Sequence, residues 1–499
     1  MSADRGRGSL AIVLHTHMPY VEGFGTWPFG EEWLWEAIAG CYLPLLDLLD
    51  SGAPLTLSLT PVLCDQLEAP GIDERFAAFV QDVRHGTHAR DAAGLRAGGH
   101  EALARELDRS WGDYAAALES LQRRGGDLLA AFARHAQWTS SATHAILPLL
   151  ASDAGVRMQV HSGVAAHRRR FGEHWRGGFW LPECAYSPWL DRALEDAGVR
   201  AVCVELTNML GLAAAAHLRP IATDSGVLLA PIDRATMALV WSDDGYPASG
   251  AYRDYHHHTV NHHNPWNNAG GAYEHAEALV LAREHAADFV ARTLARLERA
   301  NRSQEPGAAL PGGGLVVCAL DTELLGHWWY EGIAWLRAVV DECSRQGLEL
   351  VRLDDALGRH EPAAIADLPS EQLQRSNASP HTWRRGREWA ASSWGVNGDL
   401  STWSGPTVAD MAFATRRAEL ALLSAGARAS TAAVRELMAL QASDWAFMSS
   451  RGIAVPYARE RFHGHLQALG RALAGGEDAA PEGLRNLAID ADRAFLLAP

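Results

Sequence analysis

The chain repeats a short apolar run that ends in polar residues and is followed by a helix-forming stretch. The runs lie at 9 to 14, at 55 to 63, and in the segments MQVHSG, GGFWLPE, AVCVEL, GVLLAPI and GLVVCALDTE. Strands that alternate with helices pack as a parallel sheet. With about seven such units, the pattern favours an α/β fold whose sheet is a closed or nearly closed barrel over an open doubly wound sheet.

Two helix-rich stretches in a chain of 499 residues predict more than one structural unit. The stretch at about 70–138 is rich in Ala, Leu, Glu and Arg without strand signals, which indicates a helical insertion. Beyond residue 359 the strand signals fade, and 407–497 has the pattern of amphipathic helices. We therefore expect a catalytic barrel at 1–360 and a C-terminal all-helical domain at 361–499.

Charge and composition exclude several classes of function. A net charge of -16 opposes nucleic-acid binding, which depends on clustered Lys and Arg. The chain has no apolar run long enough to span a membrane and no signal peptide, so we expect a cytoplasmic protein. The six cysteines stand singly, which favours free thiols over disulfides or a zinc ribbon. The sequence leaves the oligomeric state open.

Polar side chains follow three of the predicted strands. His15 and His17 end the first strand, Glu183 follows GGFWLP, and Asp321 and Glu323 follow GLVVCAL. Catalytic groups of parallel barrels lie at the carboxyl ends of the strands. Two carboxyl groups about 5 to 5.5 Å apart suit a retaining glycosidase, whereas a wider gap suits inversion. For Glu323 we expect a supporting role at most.

Eighteen tryptophans exceed what a core of this size needs. Trp180, Trp189, Trp328 and Trp329 flank the two acids. Aromatic faces in a cleft stack on sugar rings, although each of these tryptophans could instead be a core residue. An apolar wall also raises the pKa of a neighbouring carboxylic acid, as a general acid requires.

The histidines allow a metal hypothesis. His15 and His17, with an acid from elsewhere, match the way barrel hydrolases hold zinc. The loop YHHHTVNHHNPW at 255–266 could be a second metal site or a polar loop.

Several of these segments together resemble glycoside hydrolase family 57, in particular its α-1,4-glucan branching enzymes. The similar blocks are HTHMPYV (15–21), SSATHAILPLL (140–150), GFWLPECAYSP (178–188), LDTELLGHWWYEG (320–332), SSWGVNGDLSTW (392–403) and ALQASDWAFM (439–448). The resemblance implies a seven-stranded (β/α) barrel with a helical insertion and a C-terminal helical domain. It implies a substrate such as amylose, glycogen or a related α-1,4-glucan, with no cofactor and no metal.

The resemblance also implies roles for individual residues. Glu183 would be the nucleophile and Asp321 the general acid/base. The proposed sugar-binding residues are His15, His17 and His144 as hydrogen-bonding groups, Trp27, Trp394 and Trp403 as stacking platforms, and Tyr246 on a mobile loop that covers the cleft. The sequence departs from the family pattern between Tyr255 and Tyr273, and at Val396, so acceptor binding is expected to differ.

Three functions compete at this stage. The first is a branching transglycosylase, with an α-amylase or 4-α-glucanotransferase of the same family as its nearest rival. The second is a metal-dependent barrel hydrolase that uses His15 and His17 as ligands. The third, a glucan-binding protein without activity, is disfavoured because both acids are present.

Overall fold

The computed structural model describes residues 8–25, 30–303, 310, 312–365, 391–475 and 484–497, and within these ranges ten strands form one sheet. In chain order the strands are β1 (Ser9–Thr16), β2 (Thr56–Leu59), β3 (Ala136–Ser140), β4 (Gly178–Trp180), β5 (Ala201–Val204), β6 (Ile221–Ala222), β7 (Leu228–Pro231), β8 (Leu315–Asp321), β9 (Glu349–Leu350) and β10 (Ala363–Ala364). Their order across the sheet is β10-β6-β7-β5-β4-β3-β2-β1-β8, and β9 also pairs with β1.

Twenty α-helices lie in the described ranges. They are α1 (Glu31–Ala37), α2 (Leu43–Asp50), α3 (Pro61–Leu67), α4 (Ile72–Ala78), α5 (His85–Ala97), α6 (Glu101–Arg123), α7 (Leu128–Phe132), α8 (Asp153–Phe171), α9 (Asp191–Asp196), α10 (Thr207–Leu210), α11 (Arg234–Met237), α12 (His275–Asn301), α13 (Gly332–Gln346), α14 (Leu353–Leu357), α15 (Ser401–Ser404), α16 (Ala409–Ala425), α17 (Thr431–Leu440), α18 (Ser443–Arg451), α19 (Val455–Leu473) and α20 (Ala494–Leu497). None of these helices is both long and apolar enough to cross a membrane.

Seven strands, β1, β2, β3, β4, β5, β7 and β8, run parallel to their neighbours. The two ends of this series meet just after β7, where the amide of Asp233 donates to the carbonyl of Val317 in β8 at 2.9 Å. The seven strands therefore curl into a (β/α) barrel, which confirms the fold that the alternation of strands and helices predicts. Strand β6 is antiparallel to β7 and lies outside the barrel series.

Strand β1 lies between β2 and β8 in the barrel. All eight of its residues are buried, as expected for a parallel strand covered on both faces. Its register places His15 beside Ser58 of β2 on one side and beside Asp321 of β8 on the other. Polar side chains from three adjacent strands therefore lie at one level, at the carboxyl end of the barrel.

The helical segment after β1 is interrupted by a wider turn. It consists of α1, a π-helical turn at Ile38–Tyr42, and α2. Pro44 lies at the start of α2, and because proline has no amide hydrogen it cannot bond back into the preceding turn. Helices α4 to α7 lie between β2 and β3 in the chain, and α5 packs along α6.

One strand prediction is wrong, and another extends too far. The segment MQVHSG at 158–163 lies inside α8, whose first turn is capped by the Ser152 side chain, which accepts from the amide of Gly155. This helix is buried on most of its circumference, so its sequence lacks the alternation of apolar and polar faces that reveals a surface helix. The third barrel strand is instead β3. The predicted strand at 55–63 also ends early, because Pro61 begins α3.

Helices α17 and α18 are attached to the barrel near the carboxyl end of β3. The hydroxyl of Thr143 donates to the carbonyl of Met438 at 2.5 Å. The side-chain amide of Gln159 in α8 donates to the side-chain oxygen of Gln441 at 2.9 Å. These buried hydrogen bonds hold the α17–α18 junction against the loop that carries His144.

The contact between α8 and β3 yields a stability prediction. A Cβ at Gly163 would lie 2.1 Å from the carbonyl oxygen of Ser140, so Gly163→Ala should destabilise the protein by about 1–3 kcal/mol through overpacking. Gly464→Ala, in open space in α19, should be neutral or stabilise by up to about 1 kcal/mol. Denaturant unfolding of both variants measures the difference. Equal stability of the two would contradict the close helix-strand contact.

Candidate active site

The ends of β1, β4 and β8 and the loop after β3 bring the predicted catalytic side chains together. His15 and Asp321 are in register across adjacent strands, and Glu183 lies in a turn, Pro182–Cys184, directly after β4. His144 lies in the loop after β3, and its Nε2 atom is 3.0 Å from Nε2 of His15. The structure thus places these four predicted residues at one end of the barrel.

Glu183 has a left-handed backbone and a side chain that is 14% exposed. Its φ is 60°, a conformation that costs a non-glycine residue roughly 1 kcal/mol or more. The indole N–H of Trp394 donates to Oε2 of Glu183 at 2.7 Å, and the hydroxyl of Ser443 donates to Oε1 over a longer 3.5 Å. Burial raises the pKa of Glu183 to about 7, although these two hydrogen bonds favour its anion and oppose the rise.

Asp321, the last residue of β8, is coupled to Glu183. Burial, and then the negative charges of Glu183 and Glu323, raise the pKa of Asp321 well above its ordinary value. Glu323 is held by the hydroxyl of Tyr42 at 2.7 Å and by the amide of His17 at 3.1 Å. Two buried carboxyl groups with pKa values raised by unequal surroundings can provide one protonated acid and one carboxylate near neutral pH.

His15, His17 and His144 form a cluster of nearly parallel imidazole rings. The ring centroids of His17 and His144 are 3.9 Å apart, those of His15 and His144 are 5.0 Å apart, and His15 also stacks on Trp180 at 4.5 Å. Burial, and then the charge on His17, lower the pKa of both His15 and His144. Both rings are therefore neutral near pH 7, and each offers one N–H donor and one acceptor nitrogen.

His17 differs from its two neighbours because it pairs with an acid. Its Nε2 atom lies 2.9 Å from Oδ1 of Asp444, the second residue of α18. Burial alone would lower the pKa of His17, but Asp444, Glu323 and Glu183 raise it above the ordinary value. Asp444 of α18 is therefore the counter-ion of His17, which directly follows the first barrel strand.

His17, His144 and Asp444 are close enough to one another to be considered as metal ligands, since one atom from each lies within 4.8 Å of the others. The rings of His17 and His144 are nearly parallel, with centroids 3.9 Å apart, and the Nε2 atom of His17 lies at hydrogen-bond distance from Asp444. The three side chains form a hydrogen-bonded cluster whose spacing also fits a metal ion, so the metal-dependent hypothesis is tested by the chelation experiment below.

The His-rich loop packs against the helical insertion. The ring of His263 lies 3.8 Å from that of His88 in α5, and its Nε2 atom is 3.1 Å from the hydroxyl of Thr87. Burial lowers the pKa of His88 to about 4. Within the described part of the chain, this loop contains no group of three ligand side chains close enough to share a metal ion. Of the two sequence interpretations, the polar packing loop fits this arrangement.

The predicted aromatic residues lie in different surroundings. Trp394 is half-buried beside Glu183 and stacks on the exposed Trp241, with ring centroids 6.4 Å apart. Tyr246 lies in the turn Tyr246–Ala248, and its hydroxyl donates to Asp288 of α12 at 2.7 Å while its ring stacks on His285 at 4.5 Å. A move of Tyr246 over the cleft would have to break both contacts.

Trp403 is not an open stacking platform. The ring of Trp403 is 3% exposed and packs with Ile146 and Ala185, so it presents no open face to a sugar in this conformation. It lies directly beneath Gly395, where an added Cβ would be 2.7 Å from the ring. Trp27 lies outside the described residues.

Sequence reasoning assigned no role to several residues that complete the site. Ser443 and Asp444 approach Glu183 and His17 from α18, Ser58 lies beside His15 on β2, and Trp241 extends the aromatic surface of Trp394. The block ALQASDWAFM contains the first two, and its polar pair at the start of a helix was a usable signal. The pairing of Ser58 with His15 depends on strand register, which the sequence alone does not reveal.

Comparisons with known proteins agree with this geometry. Residues 137–369 match the model of glycosyl hydrolase family 57, and residues 408–487 match the C-terminal region of 1,4-alpha-glucan branching enzymes. A 1,4-alpha-glucan branching enzyme of Thermococcus kodakarensis is 30% identical, with 91% of this chain and 72% of that protein covered. The chain belongs to glycosyl hydrolase family 57.

Two further family 57 comparisons cover nearly the whole chain. A probable 1,4-alpha-glucan branching enzyme of Mycobacterium tuberculosis is 30% identical over 96% of this chain and 95% of that protein. The crystal structure of the family 57 branching enzyme of Pyrococcus horikoshii superposes with a TM-score of 0.84 at 28% identity, covering 99% of this chain and 97% of that chain. The resemblance seen in the sequence blocks is therefore confirmed at the level of the family and the fold.

Removal of metal tests the reading of the histidine cluster. Because the histidines are held by hydrogen bonds, dialysis against a chelator should leave the activity on amylose unchanged, and elemental analysis should find metal well below one ion per chain. Activity that is lost on chelation and restored only by added zinc would support the metal-dependent hypothesis instead.

Proposed function

We propose that this protein is a retaining 1,4-alpha-glucan branching enzyme, which cleaves an α-1,4 link and transfers the released chain to a 6-hydroxyl. The observation that carries the proposal is a pair of buried acids, Glu183 and Asp321, in a barrel whose active site is completed by α18. That helix belongs to the region that matches the branching-enzyme C-terminal model. The pair of acids alone is compatible with any family 57 enzyme, so the match of the C-terminal region is what favours branching.

Glu183 is proposed as the nucleophile and Asp321 as the general acid and base. Trp394 and Ser443 donate hydrogen bonds to Glu183, which favours its anion and directs its oxygens. Burial and two nearby acids raise the pKa of Asp321 well above its ordinary value, which favours the protonated form that can protonate the leaving glycosidic oxygen. After a glycosyl-enzyme forms on Glu183, Asp321 in its basic form would accept the proton of the incoming 6-hydroxyl.

Contacts with the sugar are proposed for the residues at the edge of the cluster. Oδ2 of Asp444 is buried and has no hydrogen-bond partner among the described residues, so it can accept from a sugar hydroxyl. His17 lies beside it, and Trp394 with Trp241 offers an aromatic surface next to Glu183. Each ring nitrogen of His15 and of His144 already has a partner in the protein, so direct sugar contacts by these two would require an exchange of partners.

The substrate is proposed to be a neutral α-1,4-glucan such as amylose, glycogen or a related polymer, and the compartment the cytoplasm. The net charge of -16 and the aromatic residues beside Glu183 support a neutral polysaccharide over a polyanion. The lid role of Tyr246 stays a prediction, since closure would have to release it from Asp288. Incubation with amylose, with new α-1,6 links, reducing ends and iodine staining followed together, separates branching from hydrolysis and from α-1,4 transfer.

Substitution of the two acids tests their roles. Glu183→Gln should lower the rate by several orders of magnitude because no covalent intermediate can form. Asp321→Asn should lower the rate with amylose by about 10²–10⁴-fold because proton transfer is lost. Glu323→Gln is the matched control, a buried acid at the same strand end, and should lose far less. Near wild-type turnover in either of the first two variants, or a trapped glycosyl adduct on another residue, would contradict the assignment.

The raised pKa values predict the pH dependence. Glu183 must be anionic to attack, and burial raises its pKa to about 7, so kcat/KM should fall as the pH drops below about 7. Asp321 must be protonated, and its pKa is raised well above the ordinary value, so activity should fall again only on the alkaline side. The two groups interact, and the measured values belong to the pair. An acidic limb at the ordinary pKa of glutamic acid, near 4.3, would contradict the buried position of Glu183.

A further inference from the structure

Five polar side chains form a continuous chain of contacts that ends at Glu183. Nδ1 of His15 is 3.5 Å from the hydroxyl of Ser58, and Nε2 of His15 is 3.0 Å from Nε2 of His144. Nδ1 of His144 is 2.8 Å from the hydroxyl of Ser443, which in turn is 3.5 Å from Oε1 of Glu183. This series of contacts begins at Ser58 on β2. It passes through His15 on β1 and His144 in the loop after β3, and it reaches Glu183 through Ser443 of α18.

The contact between the two imidazoles admits only two arrangements. Both rings are buried and neutral, so one Nε2 atom carries the proton and the other accepts it. If His15 donates, His144 must carry its own proton on Nδ1 and donate it to Ser443. The hydroxyl of Ser443 is then free to donate to Glu183.

In the opposite arrangement, the hydroxyl oxygen of Ser443 repels the carboxylate of Glu183. If His144 donates to His15, its Nδ1 atom becomes an acceptor and takes the hydroxyl proton of Ser443. The oxygen of Ser443 would then present only lone pairs to Oε1 of Glu183, which is repulsive when Glu183 is anionic. An anionic Glu183 therefore selects the direction Ser58 to His15 to His144 to Ser443 to Glu183.

We propose that Ser443 is a positioning residue for the nucleophile, and that His15 and His144 act through it by fixing the direction in which its hydroxyl donates. The proposal rests on the assignment of Glu183 as nucleophile. It gives the C-terminal helices a part in the chemical step, because the last donor before the nucleophile lies at the start of α18. Trp394 supplies the second donor to the same carboxylate independently.

The backbone holds His144 and Ser443 together. The amide of Ser443 donates to the carbonyl of His144 at 3.1 Å, and Ala145 forms an antiparallel bridge with Ala442. His144 itself has a left-handed φ of 58°, which costs a non-glycine residue roughly 1 kcal/mol or more and persists because the surroundings fix it. The side-chain contact between Nδ1 and the hydroxyl is thus one of two bonds between the same pair of residues.

Other charged groups also act on Glu183. Asp444 raises the pKa of Glu183 and His17 lowers it, and Asp321 is the further acid coupled to it. These groups remain when only the hydroxyl of Ser443 is removed. Ser443→Ala therefore isolates the contribution of the last donor in the chain.

Ser443→Ala should move the acidic limb of the kcat/KM profile upward by about one pH unit and lower kcat about tenfold, because the anion of Glu183 loses a hydrogen bond. Ser449→Ala is the matched control, a buried serine on the same helix whose hydroxyl has no hydrogen-bond partner among the described residues. The acidic limb of the kcat/KM profile should stay in place in Ser449→Ala. Trp394→Phe, which removes the other donor, should move the limb in the same direction as Ser443→Ala.

An acidic limb that stays in place in Ser443→Ala, in a protein that melts at the wild-type temperature, would overturn the proposal. A second readout uses the wild-type enzyme with ¹⁵N-labelled histidine. The ring nitrogen shifts should show the proton on Nε2 of His15 and on Nδ1 of His144 above the pKa of Glu183, and the reverse tautomers would also overturn it. Failure of the proposed function is distinguishable, because wild-type protein would then form no α-1,6 links or would trap its adduct on a residue other than Glu183.

Discussion

Strand β1 hydrogen-bonds to β2 on one side and to β8 on the other, and this double register aligns Ser58, His15 and Asp321 across the end of the sheet. Parallel strands offer no freedom to shift by one residue here, because a slip would turn every side chain to the opposite face. Since β1 is buried along its whole length, such a slip would also exchange the side chains that pack on its two faces. The position of Asp321 relative to His15 is therefore fixed by the same hydrogen bonds that hold the barrel together.

The burial of ionisable groups explains why the site needs residues from two parts of the chain. A dry pocket favours neutral forms, which suits an acid such as Asp321 but opposes a carboxylate nucleophile. Ser443 of α18 offsets this by donating towards Glu183, whereas Asp444 of the same helix pairs with His17 and itself raises the pKa of Glu183. Trp394 comes from the segment that precedes the C-terminal helices. The barrel thus provides the proposed reacting groups, and the later part of the chain provides much of their electrostatic environment.

The sequence predicted the elements that depend on local patterns and missed those that depend on burial. Apolar runs followed by Glu183 and Asp321 indicated strand ends correctly, because the run and the polar residue are adjacent in the chain. Helix α8 was mistaken for a strand, because a helix buried on most sides has no polar face to reveal its period. The family resemblance implies that Trp403 is a platform, but a match of sequence blocks does not distinguish an exposed indole from a buried one. The partnership of Ser443 with His144 spans almost 300 residues and has no local signature.

Trp403, although buried, still has a bearing on the cleft. A Cβ at Gly395 would lie 2.7 Å from its indole ring, and the next amide, of Val396, donates to the hydroxyl of Thr402. A side chain at position 395 would therefore push the backbone next to Trp394 away from this ring, and with it the indole N–H that donates to Glu183. The residues at positions 395 and 403 therefore constrain each other's size. A side chain larger than glycine fits at position 395 only if the residue at position 403 is smaller than tryptophan.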